Sequence, residues 1–268
     1  MDERPGQDAE ARWAIPRDVV VLLGGLVAAF LVSDAVVLVA GWTGWARVAA
    51  ALVTEALLAT AAAVLVTRRR MWREIGFRRL ATPRDLRFYW IPALPTLLAL
   101  LPATLNPHDL APGMIAAIAL LAVLVGFVEE TFLRGLVLRW LLPGGRWRAV
   151  LVSALAFGLL HALNVVGGAD PGSTALQVVY ATGIGVGFAA VTLRTGVLWP
   201  LVVLHATTDL AGFVAIGATS APHATLASAV ASLVWTALFV GLGVVVLRGM
   251  DRREREAPQD AEPKAALT

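Results

Sequence analysis

The 268-residue chain has no cysteine, which removes disulfides, thiolate nucleophiles and Cys-based metal sites at once. Charge is scarce: charged residues make up 15% of the chain, and Lys264 is the only lysine. The formal net charge of +3 sits mostly in arginines of short loops beside apolar runs, so membrane orientation accounts for it and no nucleic-acid partner is expected. There is no HExxH, the pattern that puts two zinc ligands and a base on one helix. No internal repeat is visible, so the symmetry of many secondary transporters is missing. No short apolar region with a small-residue cleavage pattern opens the chain, which points to an uncleaved first span. No strand precedes Gly183, Gly185 and Gly187, which therefore serve close helix packing rather than phosphate binding.

What the chain does contain is apolar: 58% hydrophobic residues and a mean hydropathy of +0.75, in runs too long for soluble core helices. The expected fold is an all-α polytopic membrane helix bundle of about eight spans: Val19 to Ala40, Ala49 to Val66, Phe88 to Leu105, Met114 to Leu138, Ala149 to Val166, Thr174 to Leu193, Val197 to Ile216 and Thr225 to Leu247. Residues 1–18 form an N-terminal tail, 19–247 the transmembrane domain, and 248–268 a disordered C-terminal tail. The third span is the weakest, because Pro92, Pro95 and Pro102 interrupt it. Arginines cluster from Arg68 to Arg87, Arg134 to Arg148, at Arg194 and from Arg248 to Arg255, while alternate loops have almost none apart from Arg47. This places the protein in the cell membrane with both termini cytoplasmic. Trp42, Trp45, Trp72, Trp90, Trp140, Trp147 and Trp199 fall near span ends, as interfacial anchors do.

The stretch Met114 to Leu142 is apolar until Glu129, Glu130 and Arg134 interrupt it. An acidic residue near a bilayer centre costs roughly 2.5 to 3.5 kcal/mol on the insertion scale, so such groups need compensation. Glu130 and Arg134 are i and i+4 with the acid first, the favourable order for an ion pair. Glu129 lies about 100° round the helix and has no partner in its own segment. In the fifth span Phe157 and His161 are i and i+4, with Asn164 a turn beyond; in the seventh, His205 and Asp209 are i and i+4. Pro200, five residues before His205, is expected to kink that span and open a cavity. Glu129, Glu130, Arg134, His161, His205 and Asp209 together indicate a functional polar centre shared by three helices. Asp34 and Glu55, without a basic partner in sequence reach, suit the lining of a water-filled cavity. His108 and His223 are expected in external loops.

Glu129-Glu130-Thr-Phe-Leu-Arg134, Phe157-Gly-Leu-Leu-His161 and His205-Ala-Thr-Thr-Asp209 resemble the EExxxR, FxxxH and HxxxN/D motifs of the CPBP family. That family holds the type II CAAX prenyl endopeptidases and the bacteriocin-processing or Abi proteins. The resemblance covers Met114 to Ile216 and implies an intramembrane endopeptidase acting on a peptide or membrane-protein substrate. Within it, Glu129 suits a general base, His161 a partner in activating water, and His205 an N–H donor to an oxyanion. Asp209 departs from the Asn of the prenyl-endopeptidase branch and cannot donate when ionised. The family is often labelled metalloprotease; Glu129, His161, His205 and Asp209 are the ligands if Zn²⁺ is bound, and the alternative is no metal. Competing readings are a non-proteolytic immunity or scaffold protein and a proton-coupled transporter. The expected spans leave Glu129 and His161 about 10 Å apart in depth.

Overall fold

The computed structural model describes residues 14–105, 109–216 and 223–256; among these there is no strand. The described chain is an all-helical bundle. Its principal helices are α1 Arg17–Val39, α2 Gly44–Arg68, α3 Trp90–Leu105, α4 Pro112–Gly144, α5 Arg146–Leu160, α6 Pro171–Thr195, α7 Trp199–Ile216 and α8 Leu226–Glu256. Six of them (α1, α2, α4, α5 with its 3-10 continuation to Val165, α6 and α8) are long and apolar enough to cross a membrane, while α3 and α7 are shorter apolar helices. Large apolar side chains such as Val39, Leu57, Leu120 and Val245 stay exposed on the outside of the bundle, as a lipid-facing surface requires. The chain is a multi-pass membrane protein.

The core gathers round α6, which packs between α5 and α8. Its small residues make this possible. A Cβ on Gly185 would stand 2.7 Å from the Ala154 Cα of α5, and one on Gly183 would stand 2.7 Å from the Thr236 Cα of α8. The glycines therefore serve close packing, as expected. Asp170 caps α6 by accepting from the Ser173 N–H at 2.8 Å, with the Ala224 N–H further off at 3.4 Å. These bonds, that from Ser173 first, hold its carboxyl below the usual carboxylate range. Gly196, in the left-handed region at φ 67°, ends the helix.

Three boundaries differ from the sequence reading, each for a local reason. Pro200 lies in the first turn of α7, where its missing N–H costs nothing, so it starts the helix rather than kinking it. At the same end of the bundle α8 runs on to Glu256, so the chain from Arg248 to Glu256 is helical rather than disordered. Asp251 pairs with Arg146 at 3.4 Å and accepts from the Trp147 indole at 3.0 Å, and Glu254 also pairs with Arg146. Residues 257–268 lie outside the described chain, as do 1–13 and His108. Finally, α4 extends beyond Leu138 to Gly144 and α5 begins at Arg146, which bears directly on the site.

Candidate active site

Helix α4 changes winding where its charges begin. Pro112–Glu129 is α-helical, and Glu130–Val137 is a π-helix in which all eight residues are buried. Such wide turns are rare and concentrate at functional sites. Ser153 of α5 donates to the Leu133 carbonyl at 2.7 Å, tying the widened stretch to its neighbour. Within it Arg134 and Glu130, both at 0% exposure, pair at 3.2 Å. The Arg134 guanidinium also lies over the Phe157 ring, 3.7 Å from its centroid. Phe157 thus supports the cation that a membrane interior would otherwise reject.

The imidazole of His205 joins α7 to this pair. Its Nδ1–H donates to Glu130 Oε1 at 2.9 Å, while Nε2 faces Glu129 Oε2 at 3.4 Å and Asp209 Oδ2 at 3.5 Å. One ring therefore meets three carboxyl groups from two helices. The approach depends on Gly126, one α-helical turn before Glu130: a Cβ there would stand 3.0 Å from the Val202 carbonyl oxygen and 3.1 Å from the Ala206 nitrogen. Glu130 has two partners, Arg134 and His205, where the sequence spacing gave it one. His205 thus commits its Nδ1–H to Glu130 and turns Nε2 toward the Glu129 and Asp209 carboxyl groups.

His161 opens a short 3-10 segment at the end of α5. Its Nδ1–H donates to the Phe157 carbonyl at 2.8 Å, which leaves Nε2 with a lone pair in the neutral ring. It shares with His205 and Asp209 a cavity of about 90 Å³, also lined by Gln177, Tyr180 and Thr208. That volume holds several waters. Pro92 and Pro95 of α3 complete one wall, and Phe157, Ile184, Phe188 and Phe239 supply apolar surface. Glu129 and His161 form no ion pair or hydrogen bond with each other; Glu129 lies against His205, which lines the cavity. Helix α4 is 33 residues long with Glu129 its eighteenth, near the middle, and α5 starts earlier than its hydropathy implied, so Glu129 meets His205, which lines the same cavity as His161.

Two acids outside the motifs separate in space. Glu55 of α2 is 6% exposed, has one carboxyl oxygen without a protein partner, and lies within electrostatic reach of Glu129, Asp209 and His205. Asp34 faces Arg47, a basic partner supplied by the fold and hidden in the sequence, and Arg47 donates to the Gly167 carbonyl at 2.8 Å. His223 is exposed and 3.5 Å from Asp170. Tyr180 and Gln177 were not singled out in the sequence. The one signal that could have found them is their i, i+3 spacing on a helix beside the motif-bearing spans.

No three His, Asp or Glu side chains among the described residues converge as a metal cradle. His205 donates its Nδ1–H to Glu130 and His161 its Nδ1–H to the Phe157 carbonyl, while Nε2 of His205 lies 3.4 Å from Glu129 and 3.5 Å from Asp209. These groups stand as an acid–base cluster, and Glu129, His161, His205 and Asp209 do not meet round one point as Zn²⁺ ligands do.

Residues 111–211 match the family model described as type II CAAX prenyl endopeptidase Rce1-like, consistent with the CPBP resemblance of the three motifs. The match spans α4 through most of α7 and includes all six candidate residues. No curated protein and no solved structure matches the chain.

Proposed function

We propose that this membrane protein, whose central segment is of the CPBP type, is an intramembrane endopeptidase that hydrolyses a peptide bond with water activated by Glu129. The observation that carries the reading is His205 touching Glu129, Glu130 and Asp209 beside a cavity large enough for water. Glu129 takes a proton from water as the water oxygen adds to the substrate carbonyl carbon. The same carboxyl then returns the proton to the departing amine as the C–N bond breaks. His205 holds Glu129 and Asp209 in place and shares their proton. Glu130 and Arg134 fix the imidazole from below, and His161 presents Nε2 to the cavity as an acceptor for the attacking water. No step is routed through a metal.

The arginine-rich loops support a cytoplasmic location for both termini, and the substrate is a peptide or membrane protein. The family match favours a prenylated C-terminal tail as the first substrate class to test. Comparing peptide termini in membranes carrying wild-type protein and Glu129→Gln tests activity and finds substrates together. Fragments present only with the wild type are expected, and identical fragment sets would remove the proposed base.

A further inference from the structure

Hydrolysis builds negative charge on the carbonyl oxygen, and a hydrogen-bond donor aimed at it is worth more than most other contacts. The cavity is short of such donors. His161 spends its Nδ1–H on the Phe157 carbonyl. His205 faces carboxyl groups with both nitrogens. Thr208 donates to the Leu204 carbonyl at 2.8 Å and sits 2.6 Å from the Thr96 hydroxyl, and an ionised Asp209 has no proton to give. Two donors in the lining remain uncommitted among the described residues. The first is the Gln177 amide, exposed at the mouth, whose oxygen accepts from Asn164 at 2.8 Å. The second is the hydroxyl of the half-buried Tyr180, which has no hydrogen-bond partner among the described residues and lies within electrostatic reach of Asp209.

We infer that Tyr180 is a further catalytic residue, its hydroxyl donating to the substrate carbonyl oxygen and holding the oxyanion that forms there. The inference rests on the endopeptidase reading above and adds the electrophilic half of the site. As the water oxygen bonds to the carbonyl carbon and its proton passes to Glu129, the carbonyl π pair moves to oxygen and is held by the Tyr180 O–H. On collapse that pair re-forms the carbonyl, the C–N bond breaks, and Glu129 returns the proton to nitrogen. Tyr180 belongs to α6, the most buried of the candidate membrane spans, so the backbone that carries it is held in the packed centre of the bundle. An oxyanion donor needs that rigidity.

The test compares wild type, Glu129→Gln and Tyr180→Phe in proteoliposomes, using quenched-fluorescent peptides with and without a C-terminal farnesyl-cysteine and a peptidyl phosphonate as transition-state mimic. Tyr180→Phe keeps the ring and removes only the hydroxyl. The expected result is a kcat lowered about 10²- to 10³-fold with KM nearly unchanged, a matching loss of phosphonate affinity, and an unchanged melting temperature. Wild-type kcat in Tyr180→Phe beside an inactive Glu129→Gln overturns the Tyr180 assignment alone. So does a raised KM with lowered melting temperature, which marks a packing role. No cleavage by the wild type, or full cleavage by Glu129→Gln, overturns the endopeptidase reading instead.

Discussion

Replacing Arg134 with Met removes a guanidinium that is completely buried, 3.2 Å from Glu130 and stacked 3.7 Å over the Phe157 ring. Glu130 is left buried with His205 as its single partner. Breaking a buried ion pair from one side costs about 3 to 5 kcal/mol, because the surviving charge keeps its desolvation penalty and loses its compensation. At roughly 2 to 4 °C per kcal/mol for a domain of this size, the melting temperature should fall by on the order of 10 °C. Glu130→Gln in the same background should recover much of that loss. An amide carries no charge, and its oxygen still accepts from the His205 Nδ1–H. Differential scanning of the four proteins of this cycle in one detergent gives the coupling directly. If Arg134→Met is as stable as wild type, or the double variant is less stable than Arg134→Met alone, the claim that the pair compensates buried charge is wrong.

Widening Gly126 tests the α4–α7 contact: Gly126→Val should push against the Val202 carbonyl and lower activity by about 10²-fold, the effect of an ångström-scale misplacement, while helix content by circular dichroism stays unchanged. Preserved activity would show that the close approach is dispensable. Asp170→Ala should destabilise the protein at neutral pH. Because the folded carboxyl lies below its ordinary value, its stabilisation is present above the unfolded pKa and lost as pH falls through the folded one, so the two melting curves should converge in acid; a constant gap would contradict the capping bond. Exhaustive chelation should leave peptide hydrolysis intact, since the donors do not form a cradle. Activity lost on chelation and restored by Zn²⁺ would refute this.

The helical bundle was legible in the sequence because hydropathy reports spans one at a time, and the Glu130–Arg134 pair because i, i+4 spacing is a local rule. What escaped is set by contacts between helices. The π winding of Glu130–Val137 leaves no mark in composition. The second partner of Glu130 lies 75 residues away on α7, brought there by a glycine whose significance depends on what packs against it. Pro200 has the same identity whether it kinks a helix or begins one, and only the true start of α7 decides. Arg47 opposite Asp34 and Tyr180 in the cavity wall belong to the same class: side chains whose partners the fold supplies.

The central claim is that Glu129, held by His205, activates water for attack on a peptide carbonyl. Its most direct measurement is the single-turnover cleavage rate of a quenched-fluorescent peptide by purified, reconstituted Glu129→Gln. General-base loss predicts a fall of about 10²- to 10⁴-fold with the melting temperature of the wild type retained. A rate equal to that of the wild type would contradict the account.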